Sequence, residues 1–349
     1  MRITCISSWN AACGVATHAE LLVAGLRELG HEVWVLAPSS YEDDSTRLLH
    51  APDGPNVYRC FSFLRYGDRE EDEALLEALY FDSQALLEID PDLVLVEKPT
   101  STPLPAIQTA LAESRFDGRL AAILHEGTRP LNPYLGRLKW DLAAVFDERY
   151  PPLFHAIIPR DRVVVLPFPC HPPHRGPQGK AREALGLPQD ATIALTYGPR
   201  RETLEASHAL GRVEGLLHLA LVGTPQAYRD LKPLEWVKPI YLRPPTPRLY
   251  QYLWASDALI LHRPQPPHIA LSASAHLCLG SLTPLVCSHT SYFQGLGPEA
   301  AKYRGLQELP KTLQWAAGPG REGLIEAAKA YAEARDPTHI AALLLEALE

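Results

Sequence analysis

The feature that most constrains this chain is an alternation of strand-like and helix-like segments that runs once, stops, and starts again. "RITCIS", residues 2–7, is a short segment with an apolar bias. "GVATHAELLVAGLRELG", residues 14–30, sets Val15, Ala19, Leu22, Val23 and Leu26 at helical spacing and stops at Gly30. "HEVWVLAP" reads as the next strand. The pattern continues with strand "NVYRCFSF", helix "EDEALLEALYFDSQALLE" (71–88), strand "DLVLVEK", a helix over 103–114, and strand "LAAILHE". After "DRVVVLPFP" it breaks at "CHPPHRGPQGKA" (170–181), rich in Pro, Gly and charge, which reads as an interdomain linker. It then restarts with strand "TIALTYG", helix "ETLEASHALGRV", strand "LHLALVG", short helix "PQAYRDL", strand "PIYLRP", helix "TPRLYQYLWA" and strand "DALILHR". A helix, "ALSASAHLCLG", and an apolar "TPLVC" follow, and "REGLIEAAKAYAEAR" and "THIAALLLEALE" close the chain as helices. Such alternation predicts mostly parallel sheets with helices on both faces. The expected fold class is therefore α/β, with two doubly wound domains facing a central cleft. The expected boundaries are 1–172 and 173–349, with the last helix returning to the N-terminal domain.

At 349 residues the chain is too long for one ordinary core. Its 46% hydrophobic and 21% charged residues suffice to fill two. A net charge of −8 weighs against a general nucleic-acid binder. No apolar run approaches the roughly 18–20 residues that span a bilayer, and "MRITCISSW" lacks the apolar core of a signal peptide. The six cysteines show no CxxC spacing and fall mostly in apolar patterns, as buried thiols in a reducing cytoplasm would. Abundant Pro (33 residues) with one Met and only Asn10, Asn56 and Asn132 hints at a thermophilic source.

Several stretches carry candidate chemistry. "SSWNAACGVATHAE" puts a loop, Gly14 and Val15 at the start of the first helix, where free N–H groups favour anions or sugar oxygens. It is one glycine and not GxGxxG, and the next strand ends without an acidic residue to hold a ribose, so a dinucleotide site is not expected. An ordinary tight turn explains it as well. "ILHEGTRP" places His125 at a strand's carboxyl end, where an imidazole can hydrogen-bond a sugar hydroxyl or assist proton movement. Glu97 and Lys98 end the neighbouring strand and read as ordinary polar residues at a sheet edge. "LTYGPRRETLEA" joins Gly198 to Arg200 and Arg201 before a helix, a combination suited to a diphosphate. Ser272 and Ser274 in "SASAHLCLG" suit a helix cap or a close nucleotide approach, and capping alone suffices. His171 and His174 lack a third ligand at suggestive spacing, so no metal is expected. GxSxG, P-loop and HExxH motifs are absent.

Taken in order, these residues resemble the GT-B glycosyltransferases, most closely the retaining family-4 type. The resemblance runs through "CGVATHAELLVAGLRELGHEV", "LHEG", "VVLPFP", "TYGPRR", "LALVG", "LYQYLWASDALILHRP" and "LGSLTPLVC", nearly the whole chain. It departs from the family where a pair of glutamates normally grips the donor. No acidic residue lies between Asp257 and Glu299, and 269–277 holds Ile269, Ser272, Ser274, His276 and Leu277. Glu202 to Glu205 stand where a lysine is usual, and Leu282 replaces the glycine of "GxPVV". "SAS" is similar to the serine cluster some relatives carry.

The resemblance implies a Rossmann-like N-domain that binds an acceptor and a Rossmann-like C-domain that binds a nucleoside-diphosphate sugar, a co-substrate that calls for no cofactor. It implies transfer of a hexose with retention, Arg200 and Arg201 on the departing diphosphate, and His125 on the transferred sugar. Gly14 and Val15 would line the acceptor side or the phosphates. Gly198, Ser272 and Ser274 would line the donor. The missing glutamates leave a second reading, a catalytically silent subunit that partners an active transferase.

Overall fold

The structure of the protein, a computed structural model, describes residues 1–41, 53–64, 73–130, 133–198, 202–211 and 213–349. The chain divides into two compact units, Met1–Pro169 with Arg335–Glu349, and Cys170–Ala334.

The first unit is built on a seven-stranded parallel sheet of β1 (Arg2–Ile6), β2 (Glu32–Tyr41), β3 (Val57–Phe63), β4 (Leu93–Glu97), β5 (Arg119–Ile123), β6 (Leu142–Val145) and β7 (Val163–Val165). The order is β3-β2-β1-β4-β5-β6-β7. The second unit has six parallel strands, β8 (Thr192–Tyr197), β9 (Leu216–Val222), β10 (Val237–Tyr241), β11 (Ala258–Leu261), β12 (Leu285–Ser288) and β13 (Ala300–Tyr303), in the order β10-β9-β8-β11-β12-β13. Both are doubly wound, Rossmann-like sheets. Central strands buried on both faces need continuous apolar runs, and "LVLVE" of β4 and "ALIL" of β11 are buried at every position.

Several local readings need correction. The single helix expected over 71–88 is two helices, Glu73–Ala78 and Ser83–Ile89. Asp82 stands extended at the second N-cap and its carboxylate accepts the Gln84 N–H at 3.1 Å, so the chain restarts there. The expected linker is part of the second unit. His171 and His174 donate backbone N–H bonds to the carbonyls of His276 (3.3 Å) and Gly280 (2.7 Å). Helix Gln178–Ala184 begins inside the same stretch. β6, β7 and β13, at three or four residues each, are too short for alternation to register. Helix Leu309–Ala317 also escapes the pattern.

The closing helix Pro337–Glu346 belongs to the first unit and packs on helix Gly14–Glu28. A Cβ at Gly25 would meet the Pro337 carbonyl oxygen at 2.1 Å, so only glycine lets the backbones approach this closely. Leu282 adopts φ +59°, a left-handed conformation glycine takes without cost, at the position where the resemblance has glycine. No helix among the described residues is long and apolar enough to cross a membrane. The six cysteines form no disulfide, and five are buried.

Candidate active site

In each sheet the strand order reverses at one point, between β1 and β4 in the first unit and between β8 and β11 in the second. Ligands of open parallel sheets bind beyond the carboxyl ends of the strands at this point. In the first unit, three elements converge there. Helix Gly14–Glu28 follows β1 and turns His18 toward the sheet, Glu97 is the last residue of β4, and His125 lies two residues beyond β5.

Glu97 bridges the two imidazoles. His18 Nδ1 donates to Glu97 Oε1 at 2.7 Å, and His125 Nε2 donates to Oε2 at 2.6 Å. The side chains of His18 and Glu97 are 0% exposed, and that of His125 is 10% exposed. Burial by itself would raise the Glu97 pKa. Its electrostatic interaction with His18 and the hydrogen bonds from both histidines outweigh that and hold it below the ordinary carboxylate value. An ionised carboxylate only accepts, so both facing nitrogens carry a hydrogen. Burial pushes the His125 imidazole below its ordinary value, against the pull of Glu97. His125 is therefore neutral at neutral pH, and its tautomer leaves Nδ1 with a lone pair for a hydroxyl donor. Phe146 packs against both rings, at 5.1 Å from His18 and 4.8 Å from His125, and Phe168 stands 4.9 Å from His18.

Polar atoms without partners gather on the same elements. His18 Nε2, Glu126 Oε2 and Ser101 Oγ are buried without a hydrogen bond. The other Glu126 oxygen accepts from Thr100 Oγ1 at 2.5 Å. A buried unpaired acceptor is costly unless a ligand supplies a donor.

Gly14 and Val15 open the first helix one turn before His18, with the Cys13 side chain as the N-cap accepting from the Ala16 N–H. His125 thus has two partners that sequence reasoning missed. Glu97 reads as an ordinary sheet-edge residue, and the structure corrects this. His18 reads as one more residue of a helix. The available signal was a histidine on the helix's apolar stripe, one turn before Leu22. Donor atoms of His18, Glu97 and His125 lie within 4.8 Å of one another, a cluster that could hold a metal ion and that sequence reasoning did not find. In the present geometry both carboxylate oxygens already accept N–H groups, so a cation would have to displace two protons.

In the second unit, Gly198 follows β8 with φ +149°. Arg200 and Arg201 lie outside the described residues. Ser272 caps helix Ala273–Leu279, its Oγ accepting the Ala275 N–H at 3.2 Å. Ser274 is half-buried in the first turn. His276 is held inside the unit between Ser272 O (2.9 Å) and the Tyr331 hydroxyl (3.2 Å). His171 and His174 pack on different aromatic rings, Tyr250 and Trp254.

No family model matches the chain. Its architecture is shared by solved structures over its full length. Sucrose-phosphate synthase from Thermosynechococcus elongatus superposes with a TM-score of 0.68 at 15% identity, covering 100% of this chain and 98% of that one. A trehalose-6-phosphate synthase from E. coli, bound with UDP-2-fluoro glucose, gives 0.65 at 14%, covering 100% and 99%. An alpha-glucosyltransferase in complex with UDP and a 13-mer DNA gives 0.62 at 10%, covering 100% and 99%. These likenesses establish the fold: two Rossmann-like units in the GT-B arrangement of secondary structure.

Proposed function

We propose that the protein is a glycosyltransferase that moves a hexose from a nucleoside-diphosphate sugar to a hydroxyl acceptor, with retention at the anomeric carbon. The observation that carries this reading is the His18–Glu97–His125 network at the strand-order reversal of a GT-B unit. It presents a neutral imidazole acceptor, oriented by a buried carboxylate, where a sugar hydroxyl would lie. Similar structures bound to UDP and to UDP-2-fluoro glucose make uridine the first base to test. In the reaction the bond from the anomeric carbon to the diphosphate oxygen breaks, the acceptor oxygen bonds to that carbon, and the acceptor proton leaves with the diphosphate. His125 Nδ1 accepts from a hydroxyl of the transferred sugar and fixes its position. Cationic side chains stabilise the departing diphosphate, and metal-independent transfer is part of the proposal. Gly14 and Val15 line the acceptor side or the phosphates, and Gly198, Ser272 and Ser274 line the donor.

One observation favours the silent-partner reading instead. Helix Ala273–Leu279 offers no carboxylate, and His276 is taken up by internal hydrogen bonds. A thermal-shift screen against UDP, GDP, ADP, TDP and their hexose conjugates separates the two. A donor at a hundred times its Kd stabilises the folded state by about 2.7 kcal/mol. A chain that no nucleotide stabilises is not a transferase of this kind.

A further inference from the structure

The second unit carries a cavity at the end of its sheet opposite the Gly198 loop. Its volume is about 360 Å³, within the range of small-molecule sites. Ser256 lies two residues before β11 and Thr283 two residues before β12, so both line the cavity at the amino ends of their strands, whereas Gly198 follows the carboxyl end of β8. Gly176 is pressed against the Trp254 indole, where a Cβ would stand 2.3 Å from a ring carbon, and Trp254 Nε1 donates to the His174 carbonyl at 3.0 Å. These contacts fix the chain on both sides of Arg175 at the cavity wall. Arg321 reaches the wall as the first residue of helix Arg321–Glu333. Leu282 completes it with a side chain that also packs on the unit's core, at the cost of its left-handed backbone.

Positive charge is in excess here. Asp257 Oδ2 accepts from the Ile193 N–H (2.8 Å) and Arg182 Nη2 (2.9 Å), and Oδ1 accepts from Gln178 Nε2 (3.0 Å) and Arg321 Nη1 (3.4 Å). One carboxylate thus serves two guanidinium groups, and Arg321 pairs with no other acid among the described residues. Arg175 is exposed and forms no ion pair or hydrogen bond among the described residues. Glu322, next to Arg321 in sequence, is exposed and does not line the cavity.

The remaining polar wall consists of acceptors. Ser256 Oγ donates to the Tyr252 carbonyl at 2.8 Å, and Thr283 Oγ1 donates to the Leu253 carbonyl at 2.8 Å. A hydroxyl has one hydrogen, so these two oxygens keep only lone pairs for a ligand. Gln178 spends its amide N–H groups on Asp257 and on the Ser256 carbonyl (3.4 Å), which leaves its oxygen as an acceptor. The complementary ligand carries an anion for the guanidinium forks and hydroxyl donors for the oxygens.

From this arrangement we infer that the cavity is a second ligand site of the protein and takes a small phosphorylated sugar. The phosphate lies on Arg175 and Arg321, and the sugar hydroxyls donate to Ser256, Thr283 and Gln178. The lining residues include no carboxylate, imidazole or thiol, so the site holds its ligand unchanged, as an effector and not as a substrate. It stands apart from the donor chemistry proposed above, at the other end of the sheet.

Calorimetry on the full chain with glucose 6-phosphate, inorganic phosphate and glucose, repeated with R175A, R321A, R321K and T283V, tests the site. Glucose 6-phosphate is expected to bind more tightly than phosphate, and glucose not measurably. R175A and R321A should each weaken both anions about ten- to a hundredfold. R321K should recover part of the loss, and serves where R321A does not fold. T283V should weaken glucose 6-phosphate and leave inorganic phosphate unchanged. Saturating UDP should change none of these affinities. Glucose 6-phosphate that fails to bind the unmodified chain, that binds R175A and R321A undiminished, or that UDP displaces, would overturn the site. Equal affinity for glucose 6-phosphate and phosphate would overturn its assignment to a sugar. A chain that binds no nucleotide but holds glucose 6-phosphate through Arg175 and Arg321 would sustain this site and overturn the proposed function.

Discussion

Replacing Glu97 by Gln isolates the bridge between the two histidines. The amide keeps the shape and one acceptor, but its second group is an N–H donor. One of the two imidazoles must then turn its facing nitrogen into an acceptor and move its hydrogen to the other ring nitrogen. At His18 that places an N–H at Nε2, which is buried with no partner. An unsatisfied buried donor costs about 1–3 kcal/mol. At His125, whose side chain keeps 10% exposure, the hydrogen moves to Nδ1 with little penalty. The change should therefore fall on His125 and convert its free nitrogen from acceptor to donor. Two charge-assisted bonds become neutral ones while a buried charge disappears, so the net stability loss should be only about 0–2 kcal/mol. Loss of the hydroxyl acceptor should lower kcat/KM by about ten- to a hundredfold. Long-range ¹⁵N–¹H NMR of the imidazoles reads the tautomers, and denaturant unfolding reads stability. A variant in which His125 keeps its hydrogen on Nε2, or in which activity is unchanged, would refute the reasoning.

Other outcomes follow from single features. Gly25→Ala adds a Cβ 2.1 Å from the Pro337 carbonyl oxygen, so it should destabilise the first unit by about 1–3 kcal/mol despite its better helix propensity, with proteolysis appearing first near residue 335. Burial raises the Glu20 pKa to about 7, against the hydrogen bond from the Asn10 N–H. The folded state then binds more protons than the unfolded state between the ordinary carboxylate value of 4.5 and about 7, so this group's contribution weakens as pH rises through that window. Glu20→Gln should remove a cost of up to about 3 kcal/mol at pH 8, measured as a flatter dependence of unfolding free energy on pH. Transfer activity should survive exhaustive EDTA treatment; activity lost to EDTA and restored by Mg²⁺, Mn²⁺ or Zn²⁺ would move His18, Glu97 and His125 toward a metal role.

The two sheets were legible because each central strand is a run of buried apolar residues between helices of clear period. The short strands were not: "LAAV" of β6 and "AAKY" of β13 carry too few residues for any period to show. Asp82 hid a helix break because a capping aspartate inside an apolar helical pattern looks like one more exposed position. At the candidate site, His125 stood out as a polar residue ending an apolar strand. Glu97 ends its strand in the same way, and its meaning depends on a partner 28 positions away in sequence. His18 is further off still, on a helix brought over by the β1–β4 reversal.

The central claim is that this chain cleaves the bond between a hexose and a nucleoside diphosphate. Phosphorus NMR of the full chain with each of a panel of nucleoside-diphosphate hexoses, in a mixture of simple sugar acceptors, observes that bond directly. For at least one donor the account predicts that the sugar-linked β-phosphorus signal falls while that of the free diphosphate grows in equal measure, and that H125A slows this exchange. Unchanged spectra for every donor, from a folded chain at high concentration, would contradict it.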